Sequence, residues 1–179
     1  MSKQSHPQIY VACLAAYNAG HLHGTWIEFT PDTDAEDVQA PIDEMLKRSP
    51  EPDAEEWDIH DSEHFAEFRS HDLELLCQVA NLINEHGEGA VKGFIAHLGS
   101  VNTAAEIDNF SDIYLGCYQS EADFCEEHFG IAEAAEKIQV FDWATLDQYI
   151  DWERIANDAF INSYFSHKED YQTVHVYTR

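Results

Sequence analysis

Negative charge is the feature that most constrains what this chain can fold into. The sequence has 35 Asp and Glu residues against 9 Lys and Arg residues, a formal net charge of −26 over 179 residues. A small domain needs a net charge of only about 2 to 8 for solubility, and a larger excess opposes compaction through self-repulsion. The excess therefore calls for an explanation. The protein works in very high salt, binds many cations, or imitates another polyanion such as nucleic acid.

The acids are spread along the whole chain. No Lys or Arg occurs between Lys3 and Lys47 or between Lys92 and Lys137, whereas acids recur every few residues. An acidic tail would instead concentrate its charge in one disordered block. Because DNA carries about two charges per base pair, one such chain could match roughly a dozen base pairs. The same surface would repel phosphate, so the pattern argues against direct binding of nucleic acid.

Composition nevertheless predicts a folded protein. Hydrophobic residues make up 44% of the chain and aromatic residues 12%, well above the content of a disordered acidic segment. No apolar run reaches membrane-spanning length and the N-terminus lacks a signal-peptide pattern, so we expect a cytoplasmic protein. The cysteines form no CxxC pair and are expected to be reduced and mostly buried. We expect the four tryptophans to be core material: Trp26, Trp57, Trp143 and Trp152.

Hydrophobic patterns predict an α+β fold in three small sections. The sections are an N-terminal α+β section at 1–62, a central helical section at 63–110 and a C-terminal α+β section at 111–179. The first section contains strand patterns at Ile9–Ala15, Thr25–Phe29 and Glu56–His60, and Trp26 and Glu28 alternate with apolar residues. These patterns predict a β-hairpin or a β-meander.

A helix is predicted after the second strand. Thr33 and Glu36 have the spacing of a capping box, in which each side chain satisfies a free backbone amide at the helix start. The helix should run to about Lys47, and Pro41 should kink or divide it because proline has no amide proton.

Helical spacing dominates the middle of the chain and mixes with strand patterns at the end. The middle section predicts helices at Leu73–Ile83 with a stop at His86 and Gly87, at Ala90–Leu98 and at Thr103–Phe110. The last section predicts a capping box from Ser120 to Asp123. It also predicts strands at Ile113–Tyr118, Ala159–Phe165 and Thr173–Tyr177, and helices at Ala122–Phe129, Ala132–Ile138 and Trp143–Asp158.

Catalytic and cofactor motifs are absent from the sequence. It contains no P-loop, GxGxxG, HExxH, GxSxG or full EF-hand pattern, so we expect neither an enzyme nor a bound cofactor. One alternative stays open at His60, His64 and His71, because imidazoles with acids between them could hold zinc or iron in a metal-dependent enzyme.

An ordered set of segments resembles the ArdA family of antirestriction proteins. The segments are Ile9–Leu14 with Tyr17–Ile27, Glu55–Asp61, Leu82–Gly87, Phe110–Tyr118 and Asp147–Glu153. Each segment is a weak signal alone, but their collinear order covers nearly the whole chain. The chain departs from the family pattern at Pro41, at Phe124 and Cys125, and in the glycine-poor stretch His167–Gln172.

The resemblance implies an elongated homodimer of three small sections, usually encoded on a mobile element. It also implies a protein that mimics bent B-form DNA in the DNA-binding channel of Type I restriction-modification enzymes, blocking restriction and often modification. The acids expected to pair with Lys and Arg of that channel are Asp32, Asp34, Glu36, Asp37, Asp108, Asp112, Glu121, Asp123, Glu126, Glu127, Glu133 and Glu136.

Three other interpretations of the charge stay open beside this resemblance. A halophilic cytosolic protein would share the composition and would unfold in low salt, where its repulsion is unscreened. An acidic interaction module or chaperone would bind basic DNA-binding proteins without preference for restriction enzymes. The metal-dependent enzyme described above is the third.

Overall fold

The computed structural model describes residues 5–129, 145 and 147–179. Helices and small antiparallel sheets are both present, which confirms the predicted α+β class. The chain forms two compact units, Met1–Asp108 and Asn109–Arg179. The predicted boundary at residue 110 lies close to the division between the units. The other predicted boundary, at residue 62, lies inside the first unit, and the three-section division stays a prediction.

The first unit is built on a three-stranded antiparallel sheet. Its strands are β1 (Gln8–Cys13), β2 (Gly24–Glu28) and β3 (Trp57–Glu63), and their order is β2-β1-β3. A short helix, α1 (Leu14–Asn18), lies in the connection between β1 and β2. Because β1 is the central strand, β3 returns to pair with β1 instead of continuing a meander from β2.

Four further helices complete the first unit: α2 (Ala35–Lys47), α3 (Leu73–His86), α4 (Glu88–Leu98) and α5 (Ala104–Asp108). The inward side chains of β1, including Ile9 and Val11, are fully buried. Phe29 and Phe65 meet edge to face with ring centroids 5.1 Å apart in the same core. The predicted middle helices at 73–83 and 90–98 are confirmed, with small shifts of their ends.

The start of α2 differs from the predicted capping box by one residue. Asp34 is the N-cap: its Oδ1 accepts from the Asp37 amide at 2.9 Å, and the Asp37 Oδ2 accepts from the Asp34 amide at 3.2 Å. The Thr33 hydroxyl instead accepts from the Thr30 amide in the preceding turn. The prediction of Thr33 as the cap was therefore wrong, because that turn already uses its side chain.

Pro41 lies inside α2 without dividing it. Proline cannot donate the backbone hydrogen bond that its position would normally make. The buried side chains Val38, Ile42 and Met45 lie on both sides of it and hold the helix against the core. Packing of an apolar face supplies most of the stability of a protein helix, so the helix continues where the sequence predicted a possible division.

In the part of the second unit that the structure describes, another antiparallel sheet packs with two longer helices. The elements described there are α6 (Phe110–Ile113), β4 (Tyr114–Tyr118), α7 (Glu121–His128), α8 (Trp152–Asn162), β5 (Tyr164–Lys168) and β6 (Val174–Thr178), and the sheet order is β4-β6-β5. Its core packs Phe124 and Cys125 of α7 and Ala156 of α8 against Val174 and Val176 of β6.

Several predicted boundaries in and before this unit were wrong. The predicted strand at 159–165 is helical as far as Asn162, because Ala159 and Phe160 pack on the core as part of α8. The predicted helix at 143–158 is interrupted by a turn, and Asp151 caps a new start by accepting from the Arg154 amide at 3.0 Å. The predicted helix at 103–110 is split between α5 and α6. The predicted helix at 132–138 lies outside the described residues.

Candidate partner-binding surface

Four of the predicted carboxylates lie together at the start of α2. Asp32, Asp34, Glu36 and Asp37 are all exposed. The reciprocal cap fixes Asp34 and Asp37 in position, and the helix dipole favours negative charge at this end of α2. The helix start therefore holds four carboxylates on the surface at low electrostatic cost.

An open groove of about 390 Å³ adjoins this helix start. It is lined by Thr33, Asp34, Ala35 and Glu36 on one side and by Glu74, Cys77, Gln78 and Asn81 of α3 on the other. Burial, together with the nearby charges of Asp34, Asp37 and Glu74, raises the pKa of the Cys77 thiol to about 11. The thiol is consequently protonated at neutral pH, and it is a poor nucleophile.

The predicted acids of α5, α6 and α7 fall into two groups. Asp108, Asp112, Glu126 and Glu127 are exposed. Glu121 and Asp123 are half-buried: Glu121 accepts from the Ser166 hydroxyl at 2.5 Å, and Asp123 accepts from the Gln119 amide at 3.0 Å.

The bonds of Glu121 and Asp123 are internal. The Asp123 amide donates to the Ser120 hydroxyl at 3.0 Å, so the predicted cap is confirmed on the Ser120 side. These two carboxylates therefore support the second unit, while the exposed ones are presented to solvent. Two further predicted acids, Glu133 and Glu136, lie outside the described residues.

Basic residues neutralise little of this surface. Arg48 pairs with Glu44, and Lys92 pairs with Glu67 at 2.5 Å. Among the residues that the structure describes, none of the predicted surface carboxylates forms an ion pair with Lys or Arg. The exposed acids of the predicted set therefore keep their charge available to a partner, and contact with a partner stays a prediction.

Comparison with known families decides which kind of protein this is. The family model described as antirestriction protein (ArdA) matches residues 9–173, nearly the whole chain. The chain belongs to the ArdA antirestriction family. No individual curated protein gives a significant match. Membership in the ArdA family confirms the resemblance seen in the sequence and supports an antirestriction function for this chain.

The histidines proposed for a metal site have separate partners in this ArdA protein. His71 Nε2 lies 2.7 Å from Asp58 Oδ1, His64 Nδ1 lies 3.4 Å from Glu88 Oε2, and His60 packs edge-on against Tyr17. Within residues 5–129, 145 and 147–179, no group of three or more His, Cys, Asp or Glu side chains is arranged to hold a metal ion.

The same described part of the chain contains no helix with both the length and the apolar character to cross a bilayer.

The cysteines of this ArdA protein are all free. Cys13, Cys77 and Cys125 are buried and Cys117 is exposed, which confirms the prediction of mostly buried thiols. Burial raises the pKa of Cys125 to about 11, and it also raises the pKa of Cys117.

One exposed surface is not predicted by the sequence, because the sequence pattern assigns Trp26 to the core. Trp26 is 43% exposed, and its ring lies beside that of Tyr10 with centroids 5.4 Å apart. Trp57 and Trp152 are half-buried, and Trp143 lies outside the described residues. Alternation could have found this surface, because Trp26 and Glu28 share the strand face opposite the buried Ile27.

Proposed function

We propose that this protein mimics B-form DNA and occupies the DNA-binding channel in the methyltransferase core of Type I restriction-modification enzymes. The match to an antirestriction family over residues 9–173 carries the proposal. The net charge of −26 and the exposed, unneutralised carboxylates of the described residues supply the polyanionic character that the mechanism needs. The proposed functional form is a homodimer in the cytoplasm.

The proposed mechanism is competitive and needs no catalytic residue. A DNA-binding channel is basic, and it gains affinity for DNA by releasing counterions from phosphates. Exposed carboxylates such as Asp32, Glu36, Glu126 and Glu127 can pair with the same Lys and Arg side chains. A carboxylate presents neither a phosphodiester to cleave nor a base to methylate. Occupation of the methyltransferase core would therefore stop restriction, and it would stop modification through the same contacts.

A competition titration tests this proposal. Labelled target DNA bound to a Type I methyltransferase core is titrated with the protein at two salt concentrations, beside an unrelated DNA-binding protein. We expect stoichiometric displacement from the methyltransferase core that weakens at high salt, with the unrelated complex unaffected. Displacement from both proteins would indicate a general acidic module or chaperone, and the absence of displacement would refute the mimic.

A further inference from the structure

We propose that the outer face of the first sheet is a docking surface for arginine side chains of a basic protein partner. This inference rests on the proposed function for the identity of that partner, the restriction-modification enzyme. The surface differs from the carboxylates at the starts of α2 and α7, because an aromatic pair lies at its centre. We call it the Trp26 face and define it by three rows of residues across β2, β1 and β3.

The strand register defines the three rows of the Trp26 face. Residues directly opposite each other in antiparallel strands point to the same side of a sheet, and alternate residues of one strand share that side. The rows are Glu28–Gln8–Glu63, Trp26–Tyr10–Asp61 and Gly24–Ala12–Asp58. A register shift in the pairing of β1 with β3, between Tyr10 and Val11, interrupts the alternation in β3 and brings Asp58 opposite Ala12. The opposite face carries the buried Ile9, Val11 and Ile27. The first two rows of the Trp26 face therefore lie on the side of the sheet turned away from the core, whereas Ala12 in the third row is buried.

The aromatic pair is held in place by its neighbours. The ring of Tyr10 occupies the space that a side chain at residue 24 would fill: a Cβ on Gly24 would meet the Tyr10 ring and hydroxyl at 2.6 Å. The ring of Trp26 packs against the ring of Tyr10 with the ring planes 51° apart. This contact leaves the Trp26 side chain with less conformational freedom to lose on binding than an isolated exposed side chain would have.

Charge on the Trp26 face selects the class of ligand. Four of its nine residues are acidic, and none is Lys or Arg. Glu28, Asp61 and Glu63 are exposed, while Asp58 is engaged with His71 at 2.7 Å. Gln8 Nε2 donates to Glu63 Oε2 at 2.6 Å, which positions that carboxylate beside the middle row. A cation is therefore attracted by three exposed carboxylates in the same row as Trp26 or in the row next to it.

Arginine fits this arrangement better than lysine does. A guanidinium group is planar, stacks on an aromatic face and donates in a fork to carboxylates, whereas a strongly hydrated ammonium group acts as a point charge. Nucleobases could also stack on aromatic rings, but the carboxylates of the Trp26 face would repel their phosphates. The geometry and charge together favour an arginine-bearing protein segment over lysine-rich segments and single-stranded nucleic acid.

A peptide titration observed at the Trp26 indole tests the inference directly. The ¹⁵N-labelled protein is titrated with blocked tetra-arginine and tetra-lysine peptides, and the Trp26 indole N–H resonance is identified by its loss in Trp26→Phe. We expect tetra-arginine to shift this resonance at lower concentration than tetra-lysine does. Trp26→Leu should weaken tetra-arginine binding about threefold, and E28Q/D61N/E63Q should weaken it roughly tenfold. The matched control D53N/E55Q/E85Q removes three exposed acids elsewhere and should retain the shift at Trp26.

A second arm separates this inference from the proposed function. The displacement titration is repeated with Trp26→Leu and with Tyr171→Ala, an exposed aromatic residue outside this face. We expect Trp26→Leu to displace DNA about threefold less well and Tyr171→Ala to match the native protein. If the native protein displaces DNA and the Trp26→Leu variant does so with equal potency, the docking surface is overturned and the proposed function stands.

Three other outcomes are also decisive. If the native protein displaces no DNA, the proposed function fails, and the Trp26 shift alone decides whether the face binds arginine. An unmoved Trp26 resonance beside shifted resonances elsewhere overturns the surface. The molar mass from light scattering provides the last check. A changed mass in Trp26→Leu would assign the face to contact between copies of this chain and would also overturn the inference.

Discussion

Asp34 combines a structural and an electrostatic role at the level of the single residue. Its carboxylate caps α2 and adds to the group of acids at the helix start. We expect Asp34→Ala to lower the free energy of unfolding by about 1 kcal/mol, because the Asp37 amide loses its acceptor. Asp34→Asn should retain most of the stability, since an amide oxygen can still accept that bond.

Urea denaturation measures both Asp34 variants. Asp32→Ala serves as the control because Asp32 is exposed and precedes the helix, and its effect should stay within about 0.5 kcal/mol. Equal stability of Asp34→Ala and the native protein would show that the cap contributes nothing to folding.

Asp58 gives a prediction about pH at the same scale. Its hydrogen bond with His71, 2.7 Å long, is the largest cause that holds the pKa of this carboxyl below its usual range. Because the folded pKa is lowered, the pair contributes stability above the unfolded value of about 3.9 and loses it as pH falls through the folded pKa.

The Asp58 titration can be followed by the NMR shift of its side-chain carboxyl carbon. We expect a midpoint below about 3.9 in the native protein and a rise toward that value in His71→Ala. An unchanged midpoint in the variant would assign the low pKa to the Ile59 amide, which also donates to Asp58 at 2.8 Å.

At the level of elements, α4 holds the loop between β3 and α3 in an unfavourable backbone conformation. His64, Ala66 and Glu67 have φ angles of 54°, 53° and 61°, which residues with a Cβ rarely adopt. Glu88 of α4 accepts from the Ala66 amide at 3.1 Å, and Lys92 pairs with Glu67 at 2.5 Å. The helix therefore supplies the bonds that keep this loop in place.

Removal of the Glu88 carboxylate should release the loop. We expect Glu88→Ala to lower the free energy of unfolding by about 1–3 kcal/mol, because it leaves the Ala66 amide unsatisfied, and to speed hydrogen exchange of the amides at 64–68. Glu85→Ala removes an exposed acid from the last turn of α3 and should leave that exchange unchanged. Protection that persists in Glu88→Ala would mean that burial of the neighbouring Phe65 holds the loop instead.

Elements with local signals were predictable from the sequence, and those set by distant contacts were not. The helix predicted at Leu73–Ile83 is observed at Leu73–His86, close to the prediction, because helical spacing and the stop signal at Gly87 are encoded within one segment. The pairing of β3 with β1 depends on residues about 50 positions apart, which one sequence does not reveal. The apolar run at 159–165 fits both a helical and a strand period. Packing of Phe160 on Phe124 favours a helix for its first part. For the same reason the exposure of Trp26 could not be predicted, because it depends on which face of the sheet the rest of the chain covers.

At the level of the whole molecule, the charge opposes folding and provides the proposed binding surface. Neutralising exposed acids should therefore weaken inhibition while leaving stability equal or higher, because self-repulsion falls. If the substitutions instead unfolded the protein, both inhibition and stability would fall. This opposite response separates a binding role of the acids from a structural one.

The exposed acids Asp32, Glu36, Glu126 and Glu127 allow this test, since they can be neutralised without removing the helix caps. Exposed ion pairs contribute about 0.2–1 kcal/mol each, so a single change such as E126Q should weaken DNA displacement less than about fivefold. D32N/E36Q/E126Q/E127Q should weaken it at least about tenfold and flatten its dependence on salt, because fewer charges pair with the channel. The temperature of thermal unfolding of the same variant should change little, because the relief of self-repulsion offsets the lost interaction of Glu36 with the dipole of α2. If E126Q alone abolished displacement, the affinity would reside in one specific site, and the distributed-charge mechanism would be wrong.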